Sequence, residues 1–358
     1  MFTKVAVLGL GKVGRLAAEL LSDAGFDVAG FDVRPVPDAP FAVHSIDLGD
    51  AAATSAALAG RDAVLSCLPY ALNKQVATAA HALDLHYFDL TEDVGTTKHI
   101  RALAASAKGI MAPQCGLAPG FVAIVGAHLA RQFERVRSIR LRVGALPQHP
   151  TGLLGYAFNW SPEGVVNEYL NDCEVIEEGV LKTVSALEWL ETVYVGGVRL
   201  EAFTTSGGLG TMCETFANRV ENLDYKSLRY PGHASLMNFF FHELLMREDR
   251  AAAGKILTHA KPPVDEDVVF VHAAAEGWAD GRLGRREFVR AYYPIEIKGK
   301  ARTAIAWTTA ASVAAVIEMA SSGALPGNGF LRQETIPLDG FLETRTGRLY
   351  AEHGRNGR

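Results

Sequence analysis

Cysteine is scarce. The 358 residues hold four, Cys67, Cys115, Cys173 and Cys213, with no CxxC pair among them. That spacing argues against a zinc knuckle and against a disulfide framework in a chain this long. HExxH and related spacings are also absent, so no metal is expected. Charge of one sign is lacking: 35 Lys and Arg stand against 40 Asp and Glu, a net −5. This removes the electrostatic case for nucleic acid or an anionic membrane as partner. The most apolar stretch, Ala301–Ala320, carries Arg302, Glu318 and several Thr and Ser, and reads as a packed helix rather than a membrane span. Lys4–Leu8 begins a strand almost at once, with no basic region, apolar core and cleavage site before it, so a cytoplasmic protein is expected. What is present, 49% hydrophobic and 21% charged residues, is ordinary globular composition at a length that suits two domains.

The first 115 residues alternate strand and helix. Val5–Leu8, Asp27–Phe31, Phe41–Ile46, Ala63–Cys67, His86–Leu90 and Gly109–Met111 read as strands. Val13–Ala24, Ala51–Ala59, Asn73–Leu83 and Thr97–Ala107 read as the helices between them. This beat implies a parallel sheet covered by helices on both faces. Past a helix at Phe121–Gln132 the pattern turns antiparallel: strands at Val136–Ala145, Tyr156–Trp160, Thr192–Val195, Val198–Phe203, Val268–Ala275 and Tyr292–Ile297, with Gly196-Gly197 as a hairpin turn. The apolar helix Ala304–Met319 then resembles those of the first part. The expected fold is α/β: a Rossmann-type doubly wound parallel sheet over 1–118, an inserted α+β domain over 119–300, and a C-terminal return over 301–358.

Gly9-Leu10-Gly11-Lys12-Val13-Gly14 follows a strand and opens a helix. Gly9 permits the tight turn, Gly11 lets backbone N–H groups approach a pyrophosphate, and Gly14 lets helix and strand pack closely. The phosphates would sit on the positive end of the helix. Asp32 ends the second strand, where an acid accepts hydrogen bonds from the adenosine ribose and repels a 2′-phosphate. NAD is therefore expected, with NADP open because Arg34 lies two residues on. Asp47 either lines the adenine edge or is a turn acid. The loop Cys67-Leu68-Pro69-Tyr70 leaves the fourth strand at its carboxyl end and should touch the cofactor.

Together with that glycine motif, Cys115-Gly116-Leu117-Ala118-Pro119-Gly120, Gly155–Ser161 and Leu228-Arg229-Tyr230-Pro231-Gly232-His233 resemble the saccharopine dehydrogenase superfamily, and the pattern is most similar to its lysine 6-dehydrogenases. The resemblance implies a nicotinamide-dependent oxidoreductase acting on a C–N bond of an amino acid. Hydride leaves an amine-bearing carbon, and water opens the resulting imine. It implies a small amino-acid substrate, a homodimer, and cofactor contacts at Leu10 to Val13, Asp32, Asp47, Leu68, Leu90 and Trp160. Thr91, Ser227, Leu228 and Arg229 match positions that hold substrate. Arg229 would clamp the α-carboxylate, since a guanidinium forms two parallel charge-assisted hydrogen bonds that lysine cannot copy.

Two departures bear on the substrate. Saccharopine reductases carry an acid where this chain has Ala118, and an arginine in the loop that here reads Thr204-Thr205-Ser206-Gly207-Gly208. Both departures fit a smaller amine, because a buried dicarboxylic arm without a cation is costly. A base is required to unprotonate the amine and activate water. His233, Lys74 and Glu92 are the leading candidates, with Tyr70 and Asp93 beside them; Glu92 and Asp93 could instead hold a distal ammonium or cap a helix. Two other functions stay open on sequence: a saccharopine-type reductase joining an amino acid to a keto or aldehyde acid, and a non-catalytic NAD(P)H sensor.

Overall fold

A computed structural model describes residues 1–356, in two compact units. The first comprises Met1–Ile124 and Ala306–Glu352; the second comprises Val125–Ile305 and the residues from His353. The divisions thus fall at 124 and 305, against 118 and 300 from the sequence. The chain end joins the second unit rather than the first, because Arg355–Asn356 pairs with the strand Arg282–Tyr292.

In the first unit the elements run β1 (Lys4–Leu8), α1 (Lys12–Asp23), β2 (Asp27–Asp32), β3 (Ala42–Ser45), α2 (Ala51–Leu58), β4 (Ala63–Ser66), α3 (Tyr70–Ala82), β5 (His86–Asp89), α4 (Val94–Ala104) and β6 (Ile110–Ala112). The sheet order is Gly329–Phe330, β6, β5, β4, β1, β2, β3, and every pairing is parallel. Four consecutive residues of β1 and all of β4 are buried, as a strand covered on both faces requires. Leu8, Phe31, Val64, Val76, Tyr87, Ile100 and Met111 share one core. The order reverses between β1 and β4, and ligands of open α/β sheets bind outside the strand carboxyl ends at such a switch point. The C-terminal segment is tied in by Tyr350, stacked on Phe121 with centroids 3.9 Å apart, and by Ser312, whose hydroxyl donates to the Gly116 carbonyl. The helix Ala304–Ser321 is long and apolar enough to cross a membrane, but 78% of it is buried inside the protein, as a core helix would be.

The second unit is built on a nine-stranded sheet with the path Glu191–Val195, Val198–Thr204, Asn222–Arg229, Arg135–Pro147, Asp267–Ala279, Arg282–Tyr292, Arg355–Asn356. Gly196 and Gly197, with φ of +60° and +81°, turn the hairpin between Val195 and Val198. Tyr156, Phe158, Tyr169, Phe203, Leu228, Phe241 and Phe270 form the core, to which the helices Pro162–Leu170 and Arg250–Ala260 contribute Val165, Val166, Ala253 and Leu257.

Two expected strands differ. Tyr156–Trp160 is irregular: Tyr156, Ala157 and Phe158 are all buried in succession, so there is no alternation to lay on one sheet face. The amide of Phe158 instead bonds the Lys261 carbonyl. Tyr292–Ile297 is broken at Pro294: Tyr292 ends the strand Arg282–Tyr292 of the large sheet, whereas Ile295–Ile297 pairs with Lys300–Arg302 instead.

Candidate active site

The carboxyl edge of the first sheet carries the glycine motif. Gly9 has φ +85°, and a Cβ there would meet the Cys67 carbonyl at 2.9 Å. A Cβ on Gly14 would collide with the Gly9 carbonyl oxygen. At Gly11 an added Cβ meets nothing within 4 Å. The first and third glycines are thus demanded by the protein's own packing, whereas the second faces open space at the start of α1, where a pyrophosphate needs room. Asp32 accepts from the Leu10 amide at 2.7 Å and the Arg34 amide at 2.9 Å, which fixes its carboxylate beside the motif. Leu10, Arg15, Asp32, Arg34 and Pro35–Pro37 line a cavity of about 260 Å³. An adenosine ribose fits the chemistry of that wall: one acid for its hydroxyls and two arginines for any phosphate.

The exits of β5 and β6 lie on the same edge and hold a second polar group. Asp89 is fully buried. One carboxylate oxygen accepts from the Tyr87 hydroxyl at 2.7 Å, and the other from the amides of Thr91 and Gln114, both at 3.0 Å. Burial pushes this carboxyl up to about 6 against the pull of those bonds. The half-buried Glu92 is pushed up to about 7, mainly by desolvation and then by Asp89 and Asp93. Asp93 caps α4 by accepting from the Thr96 amide, and its own amide donates to the Thr91 hydroxyl. Cys67 is pushed up to about 12 by burial, so it is not a thiolate nucleophile.

In the second unit, Arg229 is 3% exposed and His233 1% exposed. The Arg229 Nε donates to the Tyr169 hydroxyl at 2.7 Å, and one terminal nitrogen donates to the Leu228 carbonyl. The other terminal nitrogen stands 3.8 Å from a Glu168 oxygen, and the guanidinium lies 4.7 Å over the Tyr156 ring. His233 Nδ1 faces the Leu154 carbonyl at 3.0 Å, and Nε2 faces the Tyr169 hydroxyl at 2.9 Å. A carbonyl can only accept, so Nδ1 carries the proton, Nε2 accepts, and the tyrosine donates to it. Burial, and then the Arg229 charge, push His233 down to about 3. It is a neutral imidazole whose lone pair is engaged.

Two family models divide the chain. The saccharopine dehydrogenase NADP binding domain matches residues 5–112, and the saccharopine dehydrogenase C-terminal domain matches 116–351. The chain belongs to the saccharopine dehydrogenase family. Among curated relatives of this family, the L-glutamate-forming, NADP(+)-dependent saccharopine dehydrogenase of Pyricularia oryzae is 25% identical over 206 residues, 54% of this chain and 46% of that one. The chain spans less than half the length of the fungal and mouse relatives it matches. The apo saccharopine dehydrogenase (L-Glu forming) of Saccharomyces cerevisiae superposes with a TM-score of 0.75 at 17% identity, over 98% of both chains. An engineered D-amino acid dehydrogenase bound to NADP+ gives 0.53 at 13% identity, covering 98% of this chain and 99% of that one. At those identities the structures establish the fold.

For a family member, then, the structure gathers Gly9, Leu10, Gly11, Lys12, Val13, Gly14 and Asp32 into one cradle. Leu68, Leu90, Thr91, Glu92 and Lys74 stand at the exits of β4 and β5 or on the following α3. Lys74 is exposed. Asp47 is also exposed and accepts from the Gly49 amide, the geometry of a turn acid. Trp160, Ser227, Leu228, Arg229 and His233 all belong to the second unit. Ser227 shares a buried hydrogen bond with Thr205, Leu228 is core, and the Trp160 indole donates to the Tyr156 hydroxyl. Among the described residues no three His, Cys, Asp or Glu side chains gather as a metal site. Sequence reading missed Asp89, Tyr169 and Glu168. An acid closing the apolar run Tyr87-Phe88 was the available signal for the first. The other two sit on a helix announced only by its cap, Ser161-Pro162-Glu163.

Proposed function

We propose that this amino-acid oxidoreductase oxidatively deaminates lysine or a closely related amine, with NAD as the preferred cofactor. The observation that carries this reading is the place of Glu92, half-buried just beyond β5 on the carboxyl edge of the sheet that forms the dinucleotide cradle, where burial pushes its carboxyl up to about 7. A base working near neutrality needs a pKa close to the ambient pH, and neither His233 nor the exposed Lys74 offers comparable surroundings. Glu92 takes the proton that an ammonium must lose before its carbon can give up hydride. After passing that proton to solvent it takes a second from the water that adds to the iminium carbon, returns it to the nitrogen, and accepts the hydroxyl proton as the C–N bond breaks, ammonia leaves and the carbonyl forms. The bound nicotinamide supplies the hydride acceptor.

Arg229 is assigned the substrate carboxylate: its terminal nitrogen at 3.8 Å from Glu168 is beyond a good hydrogen bond. The buried loop Thr204-Thr205-Ser206 contains no cation for a second acidic arm, which favours a small amine over saccharopine. Asp32, fixed by two backbone amides, favours a free ribose 2′-hydroxyl, while Arg15 and Arg34 are the residues that would meet a phosphate. The family model's own name points to NADP, so both cofactors belong in the test. Purified protein with L-lysine and NAD should accumulate reduced cofactor without 2-oxoglutarate, and more slowly with NADP. Turnover that runs only in the saccharopine direction, or only with NADP, overturns the corresponding part of this reading.

A further inference from the structure

We propose that Asp89 is a positioning residue that joins the exits of β5 and β6 and fixes the turn carrying Glu92. This rests on the reading of Glu92 as the base. One carboxylate oxygen of Asp89 holds two amides, that of Thr91 two residues on and that of Gln114 25 residues on. Thr91 and Gln114 are the second residues beyond the ends of their strands. Gln114 has φ +68°, a conformation that a non-glycine residue keeps only when its surroundings hold it there. Its side chain in turn donates to the Thr97 hydroxyl on α4. The Thr91 hydroxyl accepts the Asp93 amide, and Asp93 caps α4, so the Thr91–Asp93 turn is pinned at both ends with Glu92 between. Two neighbouring strands and a helix are therefore registered through one buried side chain, a larger structural role than a strand-ending acid ordinarily has.

Asp89 also acts on Glu92 by charge. The ionisable groups around Asp89 are Tyr87 on its own strand, Cys67 beyond β4 and Cys115 beyond β6; those around Glu92 are Asp89 and Asp93. Lys74 on α3 reaches the start of α4, close to Gly95. Two carboxylates beside Glu92 disfavour its ionised form, which moves its titration toward neutrality.

The test uses Asp89→Asn, Asp89→Ala and Glu92→Gln in the full chain, with L-lysine as substrate probe and NADH fluorescence as the cofactor-binding readout. Asparagine can keep the oxygen that accepts both amides while removing the charge. Asp89→Asn should then hold kcat within a few-fold and move the acid limb of kcat/KM to lower pH by roughly half a unit or more. Asp89→Ala loses the tie and should lower kcat roughly tenfold or more, with NADH affinity unchanged. An unmoved acid limb in Asp89→Asn, or wild-type kcat in Asp89→Ala, overturns the proposal while leaving Glu92 as base. Loss of NADH binding in step with kcat overturns it too, as the mark of general damage. Wild-type activity in Glu92→Gln overturns the reading of the base itself, and this proposal with it.

Discussion

At the scale of single residues, the second unit turns on Tyr169. Its hydroxyl accepts from Arg229 and donates to His233, so one oxygen satisfies a buried cation and a buried imidazole together. Tyr169→Phe leaves the Arg229 Nε and the His233 lone pair without their partner, in residues that are 3% and 1% exposed. An unsatisfied buried polar group costs about 1–3 kcal/mol. The variant should therefore lose at least about 1 kcal/mol in urea unfolding, while NADH affinity stays at the wild-type value; unchanged stability would show that water or a neighbour replaces the hydroxyl. The same network explains why His233 looked attractive on sequence yet is a poor base. A histidine's usual pKa near neutrality holds only while solvent can reach it, and burial beside a guanidinium is invisible in a linear string.

At the scale of elements, the first unit was legible and the second only partly. Strands β1 to β6 and their helices follow from apolar runs punctuated by Gly and Pro, with boundaries off by a few residues. The strand Asn222–Arg229 escaped because its sequence looks half polar, while all but its first residue are buried. Asp224 is paired with Arg142 at 2.7 Å, and Lys226 donates to the Trp189 carbonyl at 2.6 Å. Hydrophobic periodicity fails where charges are buried in pairs, since the partners are distant in sequence. The glycine loop between β1 and α1 shows the opposite case, in which spacing alone located the element. Gly11 has open space where a Cβ would project, so Gly11→Val should leave the fold intact and obstruct only the cofactor. NADH affinity should fall at least roughly tenfold, about 1.4 kcal/mol, with an unchanged unfolding midpoint. Normal affinity in the folded variant would mean that the pyrophosphate lies elsewhere.

At the scale of the whole molecule, the two family models cover residues 5–112 and 116–351, the second running through the second unit and back into the first, and the residues on which the proposed reading depends are divided between the units. On the proposed reading, cofactor preference rests with Asp32, Arg15 and Arg34 of the first unit, and substrate size with the Thr204–Gly208 loop and Arg229 of the second. The resemblance supplied the reaction class. Glu92 is one of three candidate bases in the sequence, and the folded chain favours it on the proposed reading, because burial and then Asp89 and Asp93 push its carboxyl up. The most direct test of the account is isotopic. Lysine carrying deuterium at the carbon that bears the side-chain amine is turned over with NAD, and the reduced cofactor is isolated. Deuterium should appear in the reduced nicotinamide, with one ammonia released for each. Reduced cofactor that carries no deuterium, or forms without ammonia, would contradict oxidation at that C–N bond.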